Sequence, residues 1–139
     1  GDSGPTDADL DTFIQHFPLV HAYLGYIDIV GRQNIIGIRA SAGATVPVSR
    51  PVKLKADLHH FWLANDDDAL YNAGGGVVRA GGVDENEVGF ELDLTASMQL
   101  TPHTAVTSGY SAFFPGNFVD DTGDDARVGF FYTQWSYLF

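Results

Sequence analysis

The feature that most constrains the fold of this chain is a long, strict alternation of apolar and polar residues. Between Glu87 and Leu100, apolar side chains stand at every second position over fourteen residues without an error in phase. The apolar set is Val88, Phe90, Leu92, Leu94, Ala96, Met98 and Leu100. Because successive side chains of a β-strand point to opposite faces, this pattern predicts one long strand with an apolar and a polar face.

Four other segments alternate in the same way, so the sequence predicts five strands. They cover residues 35–46, 52–64, 87–100, 104–114 and 127–139. Strands of soluble sheets usually have about five or six residues, whereas a tilted strand that crosses a membrane needs about nine to eleven. The strand lengths therefore favour an all-β fold, an antiparallel up-and-down transmembrane β-barrel.

The connections between the predicted strands alternate between short and long. Residues 47–51 and 101–103 are short links, while 65–86 and 115–126 are long ones. Outer-membrane barrels have short periplasmic turns and longer external loops, which this order matches. The acidic lead, residues 1–34, is then one more external loop, with room for one short helix over 10–17, and residues 35–139 are the strand domain.

The last predicted strand is rich in aromatic residues on one face. Phe131, Trp135, Tyr137 and Phe139 share that face, and barrels carry aromatic girdles at both membrane interfaces. A final aromatic residue preceded by apolar residues at every second position resembles the signal read by the barrel assembly machinery. Single-chain bacterial barrels have at least about eight strands, so these five are expected to be the C-terminal strands of a larger barrel.

Composition narrows the classes of function. The formal net charge is −11, which lacks the basic footprint of a nucleic-acid-binding protein. The chain has no cysteine, and no cofactor motif or catalytic set stands out, so no enzyme activity and no cofactor are expected. His59 and His60 are adjacent and should point to opposite faces of a strand, which argues against a shared metal site. The acidic runs 66–68 and 120–125 are expected to be solvated loops.

Several motifs occur in the order found in one protein family. Residues 21–34, 57–64, 89–95 and 109–116 resemble successive segments of alginate-export-type outer-membrane proteins. The resemblance covers about residues 19–139. It implies a barrel in the bacterial outer membrane, surrounded by its lipid, that passes an anionic polysaccharide or acts as a general solute pore.

The polar phase of the strands supplies the candidate site. The predicted lumen-lining residues are Arg39, Lys53, Lys55, Asp57, Glu91 and Asp93. The three basic side chains could contact anionic groups of a passing polysaccharide, or they could neutralise the three acidic ones across the wall. A small basic patch beside an acidic one departs from the strongly basic lumen that the resemblance implies.

Two other classes of function stay open at this stage. A soluble, lipocalin-like ligand-binding β-barrel would bury the apolar faces in one core and turn the polar faces to water. A surface structural or adhesion barrel would act through the long loops. Dependence on detergent separates a membrane channel from the first alternative, and ion conductance separates it from the second.

Overall fold

The computed structural model describes residues 13, 16 and 19–139, and within them the chain forms seven strands and one short helix. The elements are β1 (Ile35–Val46), β2 (Val52–Leu63), β3 (Leu70–Tyr71), β4 (Val77–Arg79), β5 (Glu87–Thr101), β6 (Thr104–Pro115), α1 (Asn117–Thr122) and β7 (Val128–Tyr137). None of these residues belongs to a helix long and apolar enough to cross a membrane. The helix predicted over 10–17 lies almost wholly outside the described residues.

The long strands form one antiparallel sheet in the order β1-β2-β5-β6-β7. Each long strand pairs with the next one along the chain, as in a meander. The five predicted strands are therefore confirmed, and their bounds differ from the prediction by at most two residues. The antiparallel all-β class is confirmed as well. The described sheet does not close on itself, so β1 and β7 are its two edges, and the closed barrel stays a prediction.

Both short connections lie at one end of the sheet, which we call the turn end. Residues 47–51, with a proline at each end, join β1 to β2, and residues 102–103 join β5 to β6. The opposite end, the loop end, holds the two long connections. These contain structure that the sequence did not predict: β3 and β4 pair as a small hairpin inside residues 64–86, and α1 lies inside residues 116–127.

A β-bulge interrupts the pairing of β2 with β5 at the loop end. Trp62 pairs with Glu87, and Val88 is the extra residue. Val88 is fully buried in the core, whereas the Glu87 carboxylate lies 2.8 Å from the Nε2 atom of His60 on the opposite face. The prediction that residues 87–100 keep a single phase is therefore wrong at its first two positions, because a bulge turns the side chains before it to the other face.

The glycine after the extra residue explains why the bulge forms there. Gly89 has a φ of +129°, and a Cβ at this position would lie 2.2 Å from the carbonyl oxygen of Phe114. Glycine is the residue that adopts this conformation and tolerates such a close approach. A single glycine thus sets the face to which the start of β5 points.

One face of the sheet, the apolar face, is built from aliphatic and aromatic side chains on all five long strands. Its exposed members include Ile36, Ile38, Leu54, Leu58, Phe90, Leu94, Tyr110, Phe131, Trp135 and Tyr137. Ile38 is 62% exposed and Trp135 68% exposed. No layer of the described chain covers this face, although monomeric soluble proteins rarely expose apolar patches larger than a few hundred Å².

The opposite face, the polar face, is covered at the loop end. A core there joins strand residues to the long connections and to the segment before β1. It consists of Val30, Phe61, Leu63, Leu70, Val88, Phe113, Phe118 and Val119. We call residues 19–34, which run over this face, the strap. They contain neither helix nor strand. The division of the chain at residue 34 and the external position of its lead stay predictions.

Candidate functional site

The site lies on the polar face and extends from the middle of the long strands to their turn end. The registers place the six residues predicted to line a lumen on this face, on three adjacent strands. They are Arg39, Lys53, Lys55, Asp57, Glu91 and Asp93. The structure thus brings the six together, and their role in lining a channel stays a prediction.

Asp57 is the centre of the basic group. Its carboxylate lies 2.7 Å from the Lys55 Nζ atom and 3.7 Å from the Arg39 Nε atom. It also accepts a short hydrogen bond from the Ser41 hydroxyl. Lys55 and Arg39 therefore pair with an acidic side chain of the sheet, in agreement with one of the two roles that the sequence left open.

A second, fully buried group lies beside the first. The Asp93 carboxylate accepts a hydrogen bond from the Ser111 hydroxyl and lies 3.3 Å from the His59 Nε2 atom. All three residues are at most 3% exposed. Sequence reasoning did not include His59 and Ser111 in the site, although both fall in the polar phase of their strands. Buried polar groups of this kind are stable only when they are hydrogen-bonded or paired.

Glu91 meets the strap rather than open space. Its Oε1 atom accepts a hydrogen bond of 3.0 Å from the backbone N–H of Ile27, and the residue is 1% exposed. Gly25 lies directly over the carboxyl group, since a Cβ there would be 2.5 Å from it. The strap backbone therefore covers the Glu91 carboxyl group and leaves no open approach to it.

Two further contacts fix the strap across the sheet. One Arg39 guanidinium nitrogen donates a hydrogen bond of 3.1 Å to the carbonyl oxygen of Ala22. At the far edge, the rings of Tyr26 and Tyr132 stack with their centroids 5.0 Å apart. The strap is thus held on β1, β5 and β7, which are both edges and the middle of the sheet.

The turn end of the polar face is different, because no described segment packs over it. The row nearest to Lys55 on that side holds Thr45, Lys53, Ser97, Thr107 and Gln134. The Lys53 side chain is exposed and has no polar partner among residues 13, 16 and 19–139. Among the predicted basic residues, Lys53 is therefore the one with an exposed side chain and no polar partner in the described part of the chain.

The aromatic residues predicted for a membrane interface lie where the alternation places them. Phe131, Trp135 and Tyr137 are on the apolar face and are between 61% and 70% exposed. Phe139 follows β7 and is exposed too. Their contact with an assembly machinery stays a prediction.

The other end of the apolar face also has aromatic rings. His60 and Trp62 have ring centroids 3.9 Å apart, and Phe90 stacks on Phe114 at 4.6 Å. The Arg127 guanidinium lies 5.1 Å from the Phe114 ring centroid. Rings with polar partners therefore lie at the loop end of the apolar face, and Trp135 and Tyr137 lie near its turn end. Phe131 stands in the middle row instead, beside Tyr110 and Leu94.

The described residues contain no cluster of three or more His, Cys, Asp or Glu side chains that could hold a metal ion. His59 and His60 point to opposite faces, as predicted, and each faces a different carboxylate. In the first acidic run, Asp66 and Asp67 are exposed, but Asp68 is buried and accepts hydrogen bonds from Tyr71 and from the backbone N–H of Ala69. The expectation of a fully solvated run is wrong at Asp68, which organises the connection.

Fold and site together define an antiparallel sheet with a bare apolar face and a charged face that is crossed by the strap. The family model for alginate export matches residues 1–132. The chain belongs to the alginate export family, as the resemblance of its motifs indicated. A search of curated proteins found no match, and neither did a search of solved structures.

Proposed function

We propose that this chain forms part of the wall of a β-barrel channel in the bacterial outer membrane. Its apolar face contacts lipid, and its polar face lines a passage for an anionic polysaccharide of the alginate type. The observation that carries the proposal is the sidedness of the sheet. The face without any described cover is the apolar one, and the face with charged side chains is the one that packs against other parts of the chain.

The apolar face has the composition that lipid requires. Most of the exposed side chains on this face are aliphatic or small. Aromatic rings lie at the loop end, on β7 at the turn end, and in the middle row at Tyr110 and Phe131. A shallow hollow of about 620 Å³ lies on this face, and its apolar floor includes Ala42, Ala44, Ala56 and Ala96. Lipid-facing surfaces of outer-membrane barrels are apolar bands that carry aromatic residues at the interfaces.

The same observation argues against a soluble, lipocalin-like protein. Such a protein would hold its ligand against an apolar interior and present polar residues to water. Here the alternation places Leu94, 46% exposed, on the bare face, while Asp93, 1% exposed, lies under the strap. The arrangement is inverted relative to a soluble barrel, and it fits a protein whose surroundings are lipid.

The proposal requires strands beyond this sheet. In lipid, unpaired backbone groups at a sheet edge cost several kcal/mol each, and both β1 and β7 have one free edge in the described residues. Further strands, from the same polypeptide or from other copies, must therefore pair with these edges. The remaining strands would also supply most of the lumen wall.

Cysteine labelling of two neighbouring residues tests the sidedness. Leu94 and Thr95 lie at the same depth on β5 and on opposite faces, and the chain has no cysteine of its own. In the complete protein in vesicles, a membrane-impermeant thiol reagent should label Thr95→Cys and leave Leu94→Cys unlabelled. Equal labelling of both variants without detergent or lipid, in a folded and soluble protein, would replace the channel by the soluble alternative.

Conductance measurements test the passage itself. The complete protein in planar lipid bilayers should give discrete conductance steps, and added alginate should block them from one side or both. A folded, membrane-inserted protein without any conductance would favour a surface structural or adhesion role. If alginate leaves the conductance steps unchanged while small solutes pass through the channel, a general solute pore would be favoured.

A further inference from the structure

Two hydrogen bonds and one stacked pair of rings hold the strap on the middle of the polar face. Arg39 donates to the carbonyl oxygen of Ala22, Glu91 accepts from the N–H of Ile27, and Tyr26 stacks on Tyr132. The two hydrogen bonds have distances of 3.1 Å and 3.0 Å. Because the wall residues lie on β1, β5 and β7, the strap crosses the full width of the described sheet.

The burial of Glu91 indicates that its carboxyl group contacts the strap rather than solvent. A carboxyl group on one face of a single sheet would be solvated, yet Glu91 is 1% exposed. Gly25, with a φ of +96°, lets the strap backbone approach the carboxyl group closely, since any Cβ there would collide with it. A backbone N–H hydrogen-bonded to a buried carboxyl group is a strong interaction, because removal of the acceptor leaves a buried donor unpaired.

The apolar residues of the strap pack into the core at the loop end. Val30 belongs to that core, and Leu24, Ile27 and Ile29 pack against it. The Gly31 N–H also donates to the Tyr71 carbonyl oxygen at 2.6 Å. The strap is therefore anchored at the loop end and reaches over the middle of the polar face.

We infer that the strap is a fixed constriction inside the proposed channel, and that Glu91 and Arg39 are positioning residues that hold it there. The inference rests on the proposed function. It reassigns two of the predicted lumen residues, because Glu91 and Arg39 bind the strap backbone and not the solute. The width of the passage along this part of the wall is then set by the strap, and the solute contacts pass to Lys53 and its polar neighbours at the turn end.

Channel recordings on the complete protein test this inference with three variants at Glu91 and Tyr26. Glu91→Ala removes the acceptor for Ile27 and should raise the conductance step by the order of twofold, since ion flow follows the open cross-section. It should also raise the size limit for neutral polyethylene glycols that enter the pore. Glu91→Gln keeps an acceptor oxygen and should restore both values. Tyr26→Ala changes no wall residue and should widen the pore in the same direction.

Glu85→Ala is the matched control, because it removes the same charge from the connection 64–86. It should leave the conductance step and the size limit unchanged. Heat-modifiable migration in electrophoresis shows for each variant that the barrel is folded. If folded Glu91→Ala and Tyr26→Ala channels keep the wild-type step and size limit, the strap is not a constriction. If Glu91→Gln changes ion selectivity as much as Glu91→Ala does, without a change in size limit, Glu91 is a lumen charge and the inference is wrong.

The wild-type protein separates this inference from the proposed function. If the wild-type protein conducts and the variants have the same conductance step and size limit, the inference alone is overturned and the channel proposal stands. A folded wild-type protein that never conducts overturns both.

Discussion

The two ends of the polar face use the same strands for different purposes. From the loop end to the middle of the strands, the strap and the long connections cover the sheet, and buried acidic side chains such as Glu91 and Asp93 have polar partners there. At the turn end, nothing in the described chain covers the face, and Lys53 stands exposed without a polar partner. Alternation decides the face of a side chain, but its height along the strand decides whether it is buried with a partner or stays exposed.

The two ends of the polar face differ because the connections at the turn end are short and those at the loop end are long. Short turns of a few residues can only link neighbouring strands, whereas the long connections and the segment before β1 have enough chain to fold back over the sheet. The core on the polar face lies at their end for this reason. Substitutions at matched positions in the two regions should therefore differ in effect, and the pairs below follow from the largest expected difference to the smallest.

Phe61 and Phe130 are aromatic residues on the polar face, the first in the loop-end core and the second outside that core, on the edge strand in the row of Ser111. Phe61 is fully buried in the loop-end core, whereas Phe130 on the edge strand is 41% exposed. Phe61→Ala should lower the free energy of unfolding by about 3–5 kcal/mol through lost burial and a cavity. Phe130→Ala should cost about 1 kcal/mol. Urea titration of the complete protein in vesicles measures both, and equal losses would show that the covered half is no separate core.

Asp93 tests the buried polar group under the strap. Asp93→Ala leaves the buried Ser111 hydroxyl without its acceptor and removes the carboxylate that faces His59, and it should cost about 1–3 kcal/mol of unfolding free energy. Asp93→Asn keeps one acceptor oxygen and should recover a large part of that loss. The same urea titration applies. An alanine variant as stable as the wild type would mean that water reaches Ser111 and His59, and the strap would then not seal this half.

Ser111 and Ser97 compare one substitution in the two halves. Ser111 is 1% exposed and donates to Asp93, while Ser97 lies in the open row near Lys53. Ser111→Ala should cost about 1 kcal/mol, and Ser97→Ala should stay within about 0.5 kcal/mol of the wild type. A reversal of this order in unfolding experiments would contradict the division of the polar face.

Lys53 tests the open half through function. Exposed charge contacts are worth up to about 1 kcal/mol, so Lys53→Gln should weaken the block of channel current by alginate by about two- to fivefold. Lys53→Arg keeps the charge and should block like the wild type. Arg50→Gln, in the turn 47–51, removes the same charge outside the sheet and is the control. If Arg50→Gln weakens the block as much as Lys53→Gln does, net charge and not position controls it.

The period of the sequence was sufficient for the strands but not for the bulge. In the sequence, the alternation of Leu92, Leu94 and Ala96 continues without interruption towards the N-terminus. The prediction therefore extended one phase back to Glu87. The actual phase changes at Val88, because the Gly89 backbone packs against β6. Such a close approach depends on a partner strand that is distant in sequence, although glycine inside a strand is the signal that could have indicated it.

For the candidate site, the sequence predicted the face and not the partners. Arg39, Asp57 and Glu91 were placed on the polar face correctly by their phase. That Glu91 binds the strap depends on the fold of residues 19–34, which have no periodic pattern and follow no local rule. His59 and Ser111 were overlooked because their importance comes from burial beside Asp93 and not from their residue types.

The sequence by itself determined the five long strands, their antiparallel order and the apolar and polar faces, because these follow from a period of two and from the lengths of the connections. Its motifs also indicated the family to which the chain belongs. Only the tertiary structure decided that the segment before β1 lies across the polar face, that its backbone is hydrogen-bonded to Glu91 and Arg39, and that Lys53 stays exposed. The physical reason is that these contacts join residues far apart in the chain, where no local spacing records which donor meets which acceptor.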